Sequence, residues 1–512
     1  MNTRWESGHR ENRESIRILD GMAAGREHIA RLRAGLEPPL TPDLRSRLRE
    51  LFGRELTPQE AVAQIIADVR QRGDAALREY TRRIDGVALE TFIADAAAIE
   101  AAYQAMPADL REALHRAAER IRAFHEREPR HSWLEWDAEG GALGQLLRPL
   151  RRVGVYVPGG RAAYPSSLLM TVIPAQVAGV EDIVVTTPPG PQGRGSPTVL
   201  AAARVVGLER VFLLGGAQAV AAMAFGTETV PRVDKIFGAG GLFVTLAKKQ
   251  VYGEVGIDGL YGPTETLIIA DETADPALAA ADLLAQAEHD PLATPLLITP
   301  SRQLAEAVQA EVERQRVALE RAEIIAAALR GQGAIIVVAS LDEALALADE
   351  FAPEHLCLSV AEPWPLVGRV HNAGGIFVGE GAAEALGDYI LGPSHAMPTG
   401  GTARFASPLH VRDFMKVTSL FAPAEPTVRH LAAAAQTIAC AEGLTAHAAA
   451  IAARDAASQN SPQRTQRAQR FSDGTTHVPT QVARHRPSAP GRPSPTGGVG
   501  AGRRPARRAQ GG

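Results

Sequence analysis

Val153-Gly154-Val155-Tyr156-Val157-Pro158-Gly159-Gly160 opens with five residues of strand character and closes in a proline-glycine turn. A short apolar run ended by such punctuation reads as a strand buried on both faces. The unit recurs downstream. Asp182–Thr187, Arg210–Leu214 and Val233–Phe237 read as strands, separated by helical stretches at Leu168–Val180, Val199–Val206 and Gln218–Phe225. A second set of strands follows at Thr266–Ala270, Pro295–Thr299, Ala334–Ala339, His355–Val360 and Gly375–Val378. Strands alternating with helices predict an α/β protein whose parallel sheets are covered by helices on both faces, and two successive sets predict two such units.

Working outward, Thr57-Pro58-Gln59-Glu60 supplies an N-cap, a proline at the first helical position and a carboxylate three residues after the cap. With apolar Val62, Ile65, Ile66 and Val69 behind it, this predicts an amphipathic helix. Another is predicted from about Pro107 to His125, and a last helical segment from Val428 to Ala453. The first twenty or so residues are polar and are expected to be loosely attached. From Ser458 the chain mixes Ser, Pro, Gly, Gln and Arg without periodicity, which predicts a disordered extension that cannot offset its ordering entropy.

The 512 residues carry 54 Lys+Arg against 58 Asp+Glu, a net charge of −4, and 45% are hydrophobic. The tail from Asp455 holds ten Arg against two Asp, a surplus of eight positive charges, which leaves the rest of the chain at −12. An acidic body is expected to present no nucleic-acid face. Cys357 and Cys440 are the only cysteines, too few for a secreted disulfide scaffold, and predict a reducing, cytoplasmic setting. No apolar run approaches the length of a membrane span, and the first residues lack a signal-peptide core, so membrane and export readings are excluded.

Four constellations carry candidate chemistry. Gln286-Ala287-Glu288-His289 closes a helix, with Gln286 and His289 three apart on one face. Glu354-His355 follows Pro353 where a strand begins, an acid and an imidazole suited to proton transfer if buried, provided the backbone there is irregular enough for both to serve one site. The Gly/Pro-punctuated stretch from Gly387 to Phe405 bears Asp388, His395 and Arg404, and such loops usually form sites. Glu442-Gly443-Leu444-Thr445-Ala446-His447 places another acid and imidazole near the ordered end. Together Gln286, His289, Asp388 and His447 form a mixed N/O donor set suited to Zn²⁺. No G-x-G-x-x-G dinucleotide fingerprint is complete: Gly238-Ala239-Gly240-Gly241 and Gly159-Gly160 each follow a strand but stop short.

These motifs resemble, in their order along the chain, those of the histidinol dehydrogenase family. The resemblance rests on Tyr156-Val157-Pro158-Gly159-Gly160 with Ala163-Tyr164-Pro165-Ser166-Ser167, Gly215-Gly216-Ala217-Gln218-Ala219, Gln286 to His289, Glu354-His355-Leu356, Gly392-Pro393-Ser394-His395, Pro398-Thr399-Gly400-Gly401, and Glu442-Gly443-Leu444 with His447. It spans roughly residues 50 to 455. It implies a zinc-dependent homodimer that oxidises L-histidinol to L-histidine through L-histidinal with two NAD⁺, built on two incomplete Rossmann-like units. The boundaries it implies are an N-terminal arm at 1–50, a zinc and catalytic unit at 51–155 with 265–408, a second unit at 156–264, a helical segment at 409–455 that completes the partner's site, and a basic tail at 456–512. Zinc ligands are implied at Gln286, His289, Asp388 and His447, which then also border the substrate. Catalytic roles are implied at Glu354 and His355, substrate contacts at His355, Thr264, His395 and Glu442, and NAD contacts at Tyr156 and Gln218.

Two departures from the family pattern stand out. Gly238-Ala239-Gly240-Gly241 replaces Gly-Pro-Gly-Asn, so a cofactor-contacting Asn is here Gly241; Tyr261-Gly262-Pro263-Thr264-Glu265 replaces Ala-Gly-Pro-Ser-Glu, adding bulk beside the retained hydroxyl. They leave open a paralogue acting on another amino alcohol or polyol. The residues alone also admit a zinc hydrolase with Glu354 as general base, a catalytically idle metal-binding protein, and Cys357 as a thiol nucleophile, although Leu356 and Leu358 flank Cys357 as they would a buried strand residue.

Overall fold

The computed structural model describes residues 15–34, 40–159 and 163–459. The chain divides into two compact units, Met1–Leu134 with Gly144–Leu420, and Glu135–Leu143 with Phe421–Gly512. Two six-stranded sheets organise the larger unit. The first runs Arg17–Asp20, Ala334–Val337, Thr294–Thr299, Glu265–Ala270, His355–Ser359, Gly375–Val378, all parallel. The second runs Ile93–Ala94, Val211–Leu213, Asp182–Thr187, Arg152–Tyr156, Lys235–Phe237, Gly256–Ile257, parallel except for the Ile93–Ala94 edge.

The expected strand-helix rhythm is present, and burial explains why it was legible. Every residue of Glu265–Ala270 and of Thr294–Thr299 is buried, because helices cover both faces and leave no polar side. Alternate residues serve opposite cores. Leu267, Ile269, Leu296, Ile298, Leu356 and Leu358 pack with Phe351 on one face, while Ile268, Ala270, Leu297 and Cys357 pack with Leu283 and Leu284 on the other. Each such fully buried Leu or Ile stabilises the fold by about 1.5–3 kcal/mol. The predicted cap at Thr57 forms: the Glu60 N–H donates to Thr57 Oγ1 at 3.2 Å and the Thr57 N–H to Glu60 Oε2 at 2.8 Å, opening the Pro58–Arg72 helix.

The expected domain boundaries need correction at both ends. Residues 51–155 belong to the second sheet: Val62, Ile65, Val69 and Leu77 share one core with Tyr156 and Phe212, and the Ala108–His125 helix packs on Pro165–Ala178. Conversely, the expected loose arm contributes Arg17–Asp20 as the edge strand of the first sheet, and the Gly21–Ala34 helix packs on its face through Ile29. A four-residue strand whose side chains are exposed or half-buried carries too little apolar signal to be read. A third sheet orders Met415–Ala422, Ala142–Pro149 and Trp133–Trp136.

In the smaller unit the expected single C-terminal helix is two, Glu425–Ala441 and Thr445–Gln459. Gly443 takes φ +75°, and the Leu444 and Gly443 N–H groups donate to the Ala439 and Cys440 carbonyls at 2.8 and 3.0 Å. Those two bonds form a Schellman ending, which needs a left-handed residue at that place. The basic tail expected from 456 lies outside the described residues from 460 onward; its first four positions still belong to the last helix. Among the described residues no helix is long and apolar enough to cross a membrane.

Candidate active site

In each sheet the strand order reverses once. In the second the reversal lies between Arg152–Tyr156 and Lys235–Phe237, and in the first between Glu265–Ala270 and His355–Ser359. A cavity of about 210 Å³ is lined by Pro158, Gly238 and Ala239 just past the carboxyl ends of the former pair, and by Thr264, Glu354 and His355 at the amino ends of the latter. The second sheet thus follows the rule that ligands gather outside strand carboxyl ends at a switch point. The first supplies its chemistry from the opposite end.

Glu354 and His355 are both buried. Phe351 ends a helix, Ala352 turns left-handed at φ 50°, and Pro353 leads to Glu354, so the expected irregular backbone is present. His355 opens the strand opposite Thr266, whereas Glu354 stands outside the ladder. Glu354 Oε2 accepts from Thr264 Oγ1 at 2.6 Å and from the Glu265 N–H at 3.0 Å. Burial pushes its carboxyl up to about 7, despite the opposing pull of His355 and these two donors.

His355 Nδ1 lies 3.1 Å from the Glu265 carbonyl, which can only accept. That geometry assigns the ring proton to Nδ1 and leaves Nε2 as the acceptor. Nε2 is buried without a hydrogen-bond partner among the described residues, 3.9 Å from Asp388 Oδ1. Glu384 Oε1 approaches Nδ1 at 3.4 Å, and the Thr266 hydroxyl donates to Glu384 Oε2. Burial holds the Glu384 carboxyl well above the usual carboxylate range. Glu384 was not among the sequence candidates; its signal is that it stands four residues before Asp388 in the Glu384–Tyr389 helix, hence on the same face.

His395 joins the same cavity. Its Nδ1 hydrogen-bonds the Asp388 carbonyl at 2.8 Å and its Nε2 the Ser167 hydroxyl at 3.2 Å, and burial lowers its pKa. Thr264, His289, Glu354, His355, Asp388 and His395, all predicted, therefore meet on one cavity, with Tyr261 in its wall. Thr399, missed by sequence reading, also lines it and accepts the Gly262 N–H at 2.6 Å. Gln286 is buried beside His289 in sequence, and neither end of its amide is hydrogen-bonded.

Tyr156 and Gln218 lie instead at the amino end of the Gly216–Phe225 helix. The Tyr156 hydroxyl accepts the Gly216 N–H at 3.2 Å, and Gln218 Nε2 donates to Asp85 at 3.5 Å while its Oε1 stays unpartnered. Gly241 caps the Leu242–Val251 helix, two residues after the lining turn Gly238-Ala239. Glu442 and His447 belong to the smaller unit, both exposed, flanking the Schellman turn. Cys357 is buried in the apolar face of the sheet and its thiol is pushed well up by burial, unsuited to nucleophilic work.

Among the described residues no cluster of three or more His, Cys, Asp or Glu could by itself hold a metal ion. What the chain offers is His289 and Asp388 on one cavity and the unsatisfied amide of Gln286, a buried oxygen donor left open. That partial set suits a divalent cation whose remaining ligand comes from elsewhere.

The histidinol dehydrogenase family model matches residues 53–455. The histidinol dehydrogenase of Deinococcus radiodurans is 52% identical over 441 residues, covering 86% of this chain and all of that protein. That of Thermus thermophilus is 52% identical over 395 residues, covering 77% of this chain and 94% of its own. The crystal structure of histidinol dehydrogenase from Elizabethkingia anophelis superposes with a TM-score of 0.79 at 32% identity, over 87% of this chain and 99% of that one. The chain belongs to the histidinol dehydrogenase family and is an oxidoreductase.

Proposed function

We propose that this protein oxidises L-histidinol to L-histidine through L-histidinal, using Zn²⁺ and two NAD⁺, as a homodimer in the cytoplasm. The observation that carries the reading is the buried Glu354–His355 pair, with His355 Nε2 unpartnered on a cavity shared with His289, Asp388 and His395. When bound, zinc on Gln286, His289, Asp388 and His447 would supply a Lewis acid that orients the substrate, and NAD⁺ a hydride acceptor for each oxidation.

The chain's own residues supply the proton chemistry. His355 Nε2 takes the hydroxyl proton in the first oxidation, its Nδ1–H fixed by the Glu265 carbonyl. Glu354, held by Thr264 and the Glu265 N–H, removes a proton from the water that adds to the aldehyde. His355 accepts the hydrate's proton in the second oxidation. His395, Thr264 and Glu442 recognise the polar groups of the substrate, while Tyr156, Gln218 and the Gly241 turn border the cofactor. Exposed Glu442 and His447, with exposed Phe421, Leu431 and Ile438 on the same unit, support completion of each site by the other subunit. Two free thiols fit a reducing compartment.

Tyr261, half-buried in the cavity wall where the family carries Ala, favours a second reading in which another amino alcohol fits better. One assay tests both: NADH formation by the zinc-loaded protein with L-histidinol beside simple amino alcohols and diols. Two NADH per L-histidinol supports the proposal. Turnover of another alcohol alone supports the second reading, and hydrolytic turnover without NADH would overturn both.

A further inference from the structure

Arg33 is the penultimate residue of the Gly21–Ala34 helix, ahead of the stretch matched by the family model. Its guanidinium joins the helix that leads into Glu354 and His355 to Glu265, whose backbone contacts both. On one side Nε donates to the Phe351 carbonyl at 3.1 Å, Nη2 donates to the same oxygen, and the guanidinium carbon sits 3.9 Å over the Phe351 ring. Phe351 ends the Leu341–Phe351 helix, so Arg33 satisfies a carbonyl that the helix leaves open. The next residue, Ala352, is the one non-glycine residue with positive φ among the described residues, a conformation that costs about 1–3 kcal/mol unless its surroundings hold it.

On the other side Nη2 donates to Glu265 Oε2 at 3.1 Å and Nη1 to Oε1, a two-pronged grip that only a planar fork can make. Glu265 Oε1 also accepts the Gly400 N–H at 3.0 Å, tying in the loop that carries Thr399. The backbone of Glu265 touches both catalytic groups, its N–H on Glu354 Oε2 and its carbonyl at His355 Nδ1. The Glu265 side chain is 6% exposed, so without Arg33 a buried carboxylate would lose its countercharge and be left to backbone donors.

We infer that Arg33 is a positioning residue: through Glu265 and Phe351 it fixes the separation and facing of Glu354 and His355. The inference rests on the reading that this pair moves the protons. The test compares Arg33→Met and Arg33→Lys with Arg26→Met, which removes an exposed pair to Glu350 between the same two helices. The variants are assayed for each half-reaction well below their melting temperatures, and amide exchange of the substrate-free protein is followed at Glu265 and across 352–358.

Arg33→Met is expected to lower kcat by about 10- to 100-fold in both half-reactions with KM for NAD⁺ nearly unchanged, as small misplacement of reacting groups does. It should also speed amide exchange at both places. Arg33→Lys, which keeps the charge but cannot serve both partners, should fold and lie between, and it carries the test if Arg33→Met does not fold. Arg26→Met should leave kcat and exchange unchanged. A lower melting temperature with kcat and exchange intact in the Arg33 variants would overturn the inference. Failure of the wild-type protein to oxidise L-histidinol would overturn the functional reading instead, and the exchange data alone would then decide whether Arg33 holds the pair.

Discussion

His355 has one nitrogen committed and one open, and this asymmetry separates the roles proposed for it and for Glu354. His355→Asn is expected to abolish alcohol oxidation, because it removes the buried, unpartnered Nε2 that is proposed to take the hydroxyl proton. Glu354→Gln should spare that first step and slow aldehyde oxidation by about 10²- to 10⁴-fold, the usual worth of a general base. Single-turnover assays on the alcohol and the aldehyde separate the two, and equal loss in both would contradict the division. With the Glu354 carboxyl raised to about 7, it is protonated and useless as a base below that pH, so aldehyde oxidation should fall as pH drops through about 7. The alkaline side should stay flat with respect to this group, and Glu354→Gln should remove the acid limb. Cys357→Ala should keep both activities and lose about 1 kcal/mol of stability, read as a lower melting temperature, since the side chain only fills core. The sequence displayed Glu354-His355 as adjacent letters, but the proton on Nδ1 depends on a carbonyl 90 positions away. Such long-range partners, Arg33 among them, have no local pattern to announce them.

Two glycines in the left-handed half of φ space show why element ends were harder to read than element interiors. At Gly443, φ +75°, a Cβ would meet nothing within 4 Å, so Gly443→Ala should cost only about 1 kcal/mol of backbone preference. At Gly238, φ +110°, the same atom would fall 2.1 Å from the Tyr156 carbonyl oxygen, between the two strands at the second sheet's reversal. Gly238→Ala should therefore cost about 3 kcal/mol or more and deform the cavity wall, visible as a larger loss of melting temperature together with loss of turnover. Strand interiors such as Glu265–Ala270 were legible because burial on both faces writes an unbroken apolar run. Ile93–Ala94 is only two residues long and Arg17–Asp20 four, so their pairing is decided by neighbours, not by their own composition.

Across the whole molecule, the cavity combines carboxyl-end residues of one sheet with amino-end residues of the other, and the proposed fourth metal ligand comes from another subunit. Two predictions follow from that arrangement. A strong zinc chelator should abolish turnover, and added Zn²⁺ should restore it. Mixing refolded Glu354→Gln and His447→Ala subunits in equal amounts should recover roughly a quarter of wild-type aldehyde oxidation, because half of the dimers would be mixed and each would hold one intact site. No recovery in dimers shown to have exchanged subunits would mean that His447 serves its own chain. The two α/β sets were legible from periodicity, yet their memberships were not: residues 51–155 follow the second sheet and 17–34 the first, because packing partners were chosen across long stretches of chain.

The short strand Arg17–Asp20 also governs how the protein can be handled. Trimming the chain to the family-matched core at residue 53 would strip the hydrogen-bonding border from Ala334–Val337, whose first three residues are fully buried. An apolar parallel strand with its backbone groups suddenly bare invites pairing with any other chain in solution. Shortened versions should accordingly precipitate or form soluble aggregates, even though every side chain proposed for catalysis is retained.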